Sequence, residues 1–112
     1  MSTPTPADLG ASGSALWEEL TDFVVFDVHE TALLLEACRV RDRLDALNAV
    51  VCAEGVTVSS PQGVKAHPAL VEARAQGVAL SRLLASLRIP DENDARPQRR
   101  GRARGSYGLP AA

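Results

Sequence analysis

The sequence lacks any apolar run long enough to cross a bilayer. Runs such as Ala32–Leu35 and Ala49–Ala53 fall far below the roughly 18–20 residues a span needs. The opening, MSTPTPADLGASGS, has no basic start followed by an apolar core, so it does not read as a secretory signal. These absences predict a soluble, intracellular protein with no membrane partner. Cysteine is scarce as well. Cys38 and Cys52 stand 14 positions apart in one expected helix, about 21 Å along its axis, too far to pair with each other. Without a CxxC spacing they read as small buried hydrophobes rather than metal ligands.

Reactive constellations are missing too. The two histidines, His29 and His67, fall at expected helix starts, where imidazoles serve as surface or capping groups. His29-Glu30 has no second histidine four residues on, as a zinc-protease helix requires. GASGS (10–14) lacks the lysine and the preceding strand of a phosphate loop. Ser59, Ser60, Ser81 and Ser86 have no nucleophile-elbow context. The acids Glu18, Glu19, Asp22, Asp27, Glu30 and Glu36 do not follow the spacing of a calcium loop and read as a solvated face. No short basic recognition helix follows a tight turn. Arg39, Arg41 and Arg43 alternate with Glu36, Asp42 and Asp45, the pattern of i,i+3 and i,i+4 surface pairs. The expectation is a protein that is not an enzyme, with no metal and no cofactor.

Charge is where the sequence becomes distinctive. The formal net charge is −2, but it averages two unlike parts. Residues 1–94 carry seven lysines and arginines against fourteen acids, a net −7. Residues 95–112, ARPQRRGRARGSYGLPAA, carry Arg96, Arg99, Arg100, Arg102 and Arg104 and no acid, a net +5. Such asymmetry points to a segment with its own partner. Guanidinium forks match phosphate geometry, and the interspersed Gly and Ala let a chain follow a groove. Arg100-Gly101-Arg102 is similar to a minor-groove hook without its flanking prolines. A solubilising terminus, or a segment that meets an acidic protein surface, accounts for the same arginines. One such surface is the chain's own residues 8–36, with seven acids and no base.

The remainder reads as a helical core. Residues 1–11 are expected to form a disordered lead. A short helix over about 13–22 has Ser12 or Ser14 as its cap, with Leu16, Leu20 and Phe23 on one side and Trp17 beside them. DVHE (27–30) is a capping box, and no proline or glycine follows until Gly55. Leu33, Ala37, Val40, Leu44, Leu47 and Val51 step by four and three, so the spacing predicts a helix over about 28–54 with one apolar seam. Val56 and Val58, the turn SPQG (60–63), then Val64 and Ala66 predict a β-hairpin over about 56–66. Pro68 opens a helix over about 68–88, whose seam is Leu70, Ala73, Gly77, Leu80, Leu84 and Leu87. Gly77 inside it suggests close approach by a neighbouring backbone. The expected fold is therefore mainly α. A long antiparallel helical hairpin carries a small β-hairpin at its tip, a short N-terminal helix precedes it, and a disordered basic tail (90–112) follows. Residues 12–89 form the oligomerisation domain. Leu34 and Cys38 widen the first seam, and Val71, Ala75 and Val78 the second, beyond what a two-helix interface buries. Self-association is the favoured inference.

In order, GASGSALWEEL, DVHETALLLEACRVRDRLDAL, GVTVSSPQGVKAHPALVEAR leading to LSRLLASLRIPD, and RPQRRGRARGSYG resemble the small terminase subunit of tailed double-stranded DNA bacteriophages. The likeness is to short versions from phages of actinobacteria and covers most of residues 10–108. The resemblance implies a non-catalytic packaging component in the host cytoplasm. It would form a homo-oligomeric ring, bind double-stranded viral DNA, and recruit or regulate the large subunit that carries the ATPase and nuclease. It makes residues 27–89 the ring-forming core. Lys65, Arg96, Arg99, Arg100, Arg102 and Arg104 become candidate contacts for DNA or the large subunit. Many members carry a separate N-terminal helix-turn-helix, for which this chain has no room. A helical-hairpin adaptor that binds a protein partner without nucleic acid is the alternative from another class.

Overall fold

Residues 3–90 are described in the computed structural model. The order is α1 (Ala11–Phe23), α2 (Val28–Glu54), β1 (Thr57–Ser60), β2 (Gly63–Ala66) and α3 (Pro68–Leu87). The fold is mainly helical, with one two-stranded antiparallel sheet.

Helix α2 begins where its sequence dictates. The Asp27 side chain accepts from the Glu30 amide, and the Glu30 side chain accepts from the Asp27 amide, both at 3.1 Å, satisfying two donors that would otherwise be orphaned. It ends at Gly55, whose φ of +90° is open to glycine and strained for other residues. In the hairpin Thr57 faces Ala66, Val58 faces Lys65, Ser59 faces Val64 and Ser60 faces Gly63. Pro61 and Gln62 make the loop, braced by the Ser60 hydroxyl, which donates to the Gly63 carbonyl at 2.7 Å. Gly63 follows at φ +115°, as a turn that needs a positive φ requires.

His67 caps α3. Its Nδ1 accepts from the Ala69 amide at 2.9 Å, and its Nε2 meets Glu54 Oε1 at 2.7 Å. An Nδ1 that accepts is unprotonated, so the proton sits on Nε2 and is donated to Glu54. The ring is buried and ties the end of α2 to the start of α3. Arg43 then bonds Gln76, and Leu34 shares a cluster with Leu87. The three contacts, 54 with 67, 43 with 76 and 34 with 87, show that the two helices run in opposite directions.

Two clusters form the core. Val40, Leu44 and Ala73 bury together, with Leu47, Leu80 and Leu83 packed against them. Trp17, Leu34, Cys38 and Leu87 form the other, flanked by Leu9, Leu16, Leu20, Phe26, Leu33, Leu35, Leu84 and Ile89. Helix α2 therefore faces α3 on one side and α1 on another, which explains why its apolar stripe is wider than one seam. Leu34 and Cys38, which widen that stripe, are fully buried within the chain by α1 and the end of α3.

Four expectations are corrected. Ser12 and Ser14 do not cap α1: the helix starts at Ala11 with Gly10 as its N-cap and no side-chain cap of its own. Both serines lie inside its first turn, where the Ser12 hydroxyl donates to Asp45. Residues 3–10 are not a free lead, because Leu9 packs on the Trp17 cluster and Thr5 donates to Glu18 at 2.9 Å. Gly77 meets no neighbouring backbone, since a Cβ there would have nothing within 4 Å. Cys52 is exposed, and only Cys38 is a buried hydrophobe.

Candidate nucleic-acid and partner interface

The candidate basic residues are not brought together. Lys65 is exposed on β2, at the end of the molecule where α2 hands over to α3. Helix α3 then runs 20 residues back, about 30 Å, and places Leu87 and Ile89 beside Trp17. Arg96, Arg99, Arg100, Arg102 and Arg104 lie outside the described residues. Lys65 thus stands at the opposite end of α3 from the point where the chain leads on towards them.

The arginines of α2 are spent on internal pairs. Arg39 pairs with Asp8 at 3.1 Å, Arg41 with Asp45 at 3.0 Å, and Arg43 with Glu36 at 3.3 Å. Only the Arg41 pair follows the i,i+4 pattern; Arg39 reaches the N-terminal segment, and Arg43 reaches back seven residues. Asp42 pairs with no arginine among the described residues. It accepts from the Gly10 and Gly13 amides, each at 2.7 Å, as a cap supplied to α1 by another helix. The Ser12 hydroxyl and then Arg41 hold the Asp45 carboxyl below its usual range. Burial, followed by the charge of Asp42, pushes the Cys38 thiol up to about 11.

Sequence reasoning found Val71, Ala75 and Val78 as apolar surface beyond the helix pair and Glu18, Glu19 and Asp22 as a solvated acidic face, but it missed Arg74 and Arg82 beside the first and the exposure of Val25 and Val28 just after the second. On α3, Arg74, Ala75 and Arg82 are exposed together with Val71 and Val78, each valine about half exposed. Positions 71, 74, 75, 78 and 82 recur at helical spacing and share one side. Neither arginine pairs with an acid among the described residues. Around the end of α1 the signs invert. Val25 and Val28 are 96% and 89% exposed and Phe23 is 43% exposed. Glu18, Glu19 and Asp22 lie in the last turns of α1 with Phe23, and no lysine or arginine among the described residues meets them. An open groove of about 330 Å³ there is lined by Thr3, Pro4, Thr5, Glu18, Thr21 and Asp22. The spacing of the α3 residues was legible in sequence; which side faced outward was not.

Most of the residues expected to build the oligomer pack in the core of one chain; Val51, Leu70 and Gly77 are not among its clusters. Leu34, Ala37, Val40, Leu44, Ala73 and Leu87 are buried, and Leu33, Leu47, Val51, Leu70, Gly77, Leu80 and Leu84 are partly buried. Asp27, His29 and Glu30 place one ligand atom each within 4.8 Å of the others. Those atoms are already engaged, in the capping box and in a 3.0 Å contact from His29 Nδ1 to Asp27. No helix among the described residues is long and apolar enough to cross a membrane. No family model, no curated protein and no solved structure matches this chain.

Proposed function

We propose that the chain is a non-catalytic small terminase subunit for viral DNA packaging. Its copies assemble into a ring, and its arginines at 96–104 hold double-stranded viral DNA while the assembly recruits or regulates a large ATPase and nuclease subunit in the host cytoplasm. The ordered sequence resemblance supports the identity. The observation that carries the self-association is the outward face of α3, where Val71 and Val78 lie half exposed after the core is complete. The exposed half of each valine is apolar surface that a contact between copies would bury.

Five arginines in residues 95–112 supply the charge for a polyanion. Arginines in such a run grip phosphates without reading bases, so genome choice on this account belongs to ring geometry or to the large subunit. Gel shift across a salt series tests the reading. If the five arginines at 96–104 each neutralise one phosphate, log K falls against log salt with a slope of about −4.5. Replacing them with glutamine then removes most of that slope. DNA binding that is absent, or that ignores both salt and the substitutions, favours the second reading, an oligomeric helical-hairpin adaptor for a protein partner. The exposed apolar cluster Phe23, Val25 and Val28 is what favours that alternative.

A further inference from the structure

We infer that one copy's α3 face, Val71, Arg74, Val78 and Arg82, docks on the acidic apolar face of a second copy, formed by Glu18, Glu19, Asp22, Phe23, Val25 and Val28. The inference rests on the self-association proposed above and names the surfaces that meet.

Charge selects the pairing. The α3 face carries two arginines that pair with no acid among the described residues. Two copies joined through this same face would set like charges against each other, which is unfavourable. Two copies joined through the α1 face would oppose Glu18, Glu19 and Asp22 to themselves. Only the mixed pairing brings guanidinium to carboxylate. It also brings Val71 and Val78 against Phe23, Val25 and Val28, so that apolar surface left exposed on both faces is covered together.

The groove beside Thr3–Thr5 gives the arginines somewhere to go. Glu18 and Asp22 stand one helical turn apart on its wall and offer carboxylates to an entering guanidinium. Glu18 accepts there from the Thr5 hydroxyl, which holds its side chain on that wall. Because the two faces differ, a copy that gives its α3 face still has its α1 face free. Such a heterologous contact propagates, and it closes into a ring where the rotation permits.

A charge swap in the full chain tests this. One variant carries Arg74→Glu and Arg82→Glu; the other carries Glu18→Arg, Glu19→Arg and Asp22→Arg. Molar mass is read by light scattering, with circular dichroism to check folding, and Arg74→Gln with Arg82→Gln serves as a milder pair. The expected result is loss of assembly in each swap alone and recovery of the wild-type mass when both sets of substitutions are combined in one chain. The glutamine pair should assemble more weakly than wild type. Wild-type mass in both single swaps overturns the pairing while leaving self-association through another face intact. Loss that combining both sets in one chain does not repair, in variants that remain folded, overturns it as well. A wild-type protein that stays monomeric removes both the pairing and the reading beneath it.

Discussion

Asp42 of α2 caps Gly13 of α1: the Gly13 amide donates to Asp42 Oδ1 at 2.7 Å, while the Gly10 amide donates to Oδ2 at the same distance. The contact requires glycine. A Cβ at position 13 would run into the Asp42 carboxylate and stand 2.7 Å from the Cys38 carbonyl oxygen, and a carbonyl within a helix cannot move aside cheaply. Gly13→Ala should therefore destabilise the fold by about 1–3 kcal/mol, although alanine is the better helix former. Thermal denaturation checks it; an unchanged or raised Tm contradicts the close approach.

Asp42→Ala removes the acceptor without adding bulk. Two amides at the start of α1 lose a charged partner at the positive end of the helix dipole, a loss of about 0.5–2 kcal/mol. Hydrogen exchange should show it locally, as faster exchange at Gly13 than in α3.

Gly77→Ala goes the other way. The added methyl enters open space and removes a helix-interior glycine, so the chain should gain about 1 kcal/mol. A loss of stability at high protein concentration alone would place Gly77 against the backbone of another copy.

The cysteines separate by environment. Cys52 is exposed and Cys38 buried, the latter with its thiol raised to about 11. In mildly alkaline buffer an alkylating reagent should label one thiol in the native protein and two in denaturant. The sign for stability follows from linkage. The Cys38 contribution is complete below the unfolded thiol value near 9.0 and is lost as pH climbs towards about 11. Cys38→Ala should flatten that alkaline decline.

Asp45 works at the acid end. Its carboxyl is held below the ordinary 3.8, so its contribution is present above that value and lost as pH falls through the lowered one. Asp45→Asn should flatten the acid limb of the stability profile in that window, as read by denaturant midpoints across pH.

Local signals in the sequence told most where the chain satisfies itself nearby. Asp27 and Glu30 lie three residues apart and bond each other; Gly63 stands where the turn needs its positive φ; His67 caps the helix that Pro68 opens. The readings that failed depend on partners distant in sequence. The cap of α1 comes from Asp42, 29 residues beyond Gly13, whereas the local candidates Ser12 and Ser14 lie inside the helix. Gly77 looked like a close approach because a helix-interior glycine has that use, yet the space beside it is open. The candidate interface was legible as charge and spacing. Its outward direction was not, because that depends on α1 and α3 covering two different sides of α2.

The central claim is that this helical core works as an assembly of copies. The most direct measurement is the molar mass of the full chain by light scattering after gel filtration, over a range of concentrations. The account predicts one defined multiple of the 11.8 kDa chain, lost on Val71→Asp with Val78→Asp while the helices remain folded. A strict 11.8 kDa monomer at every concentration contradicts it.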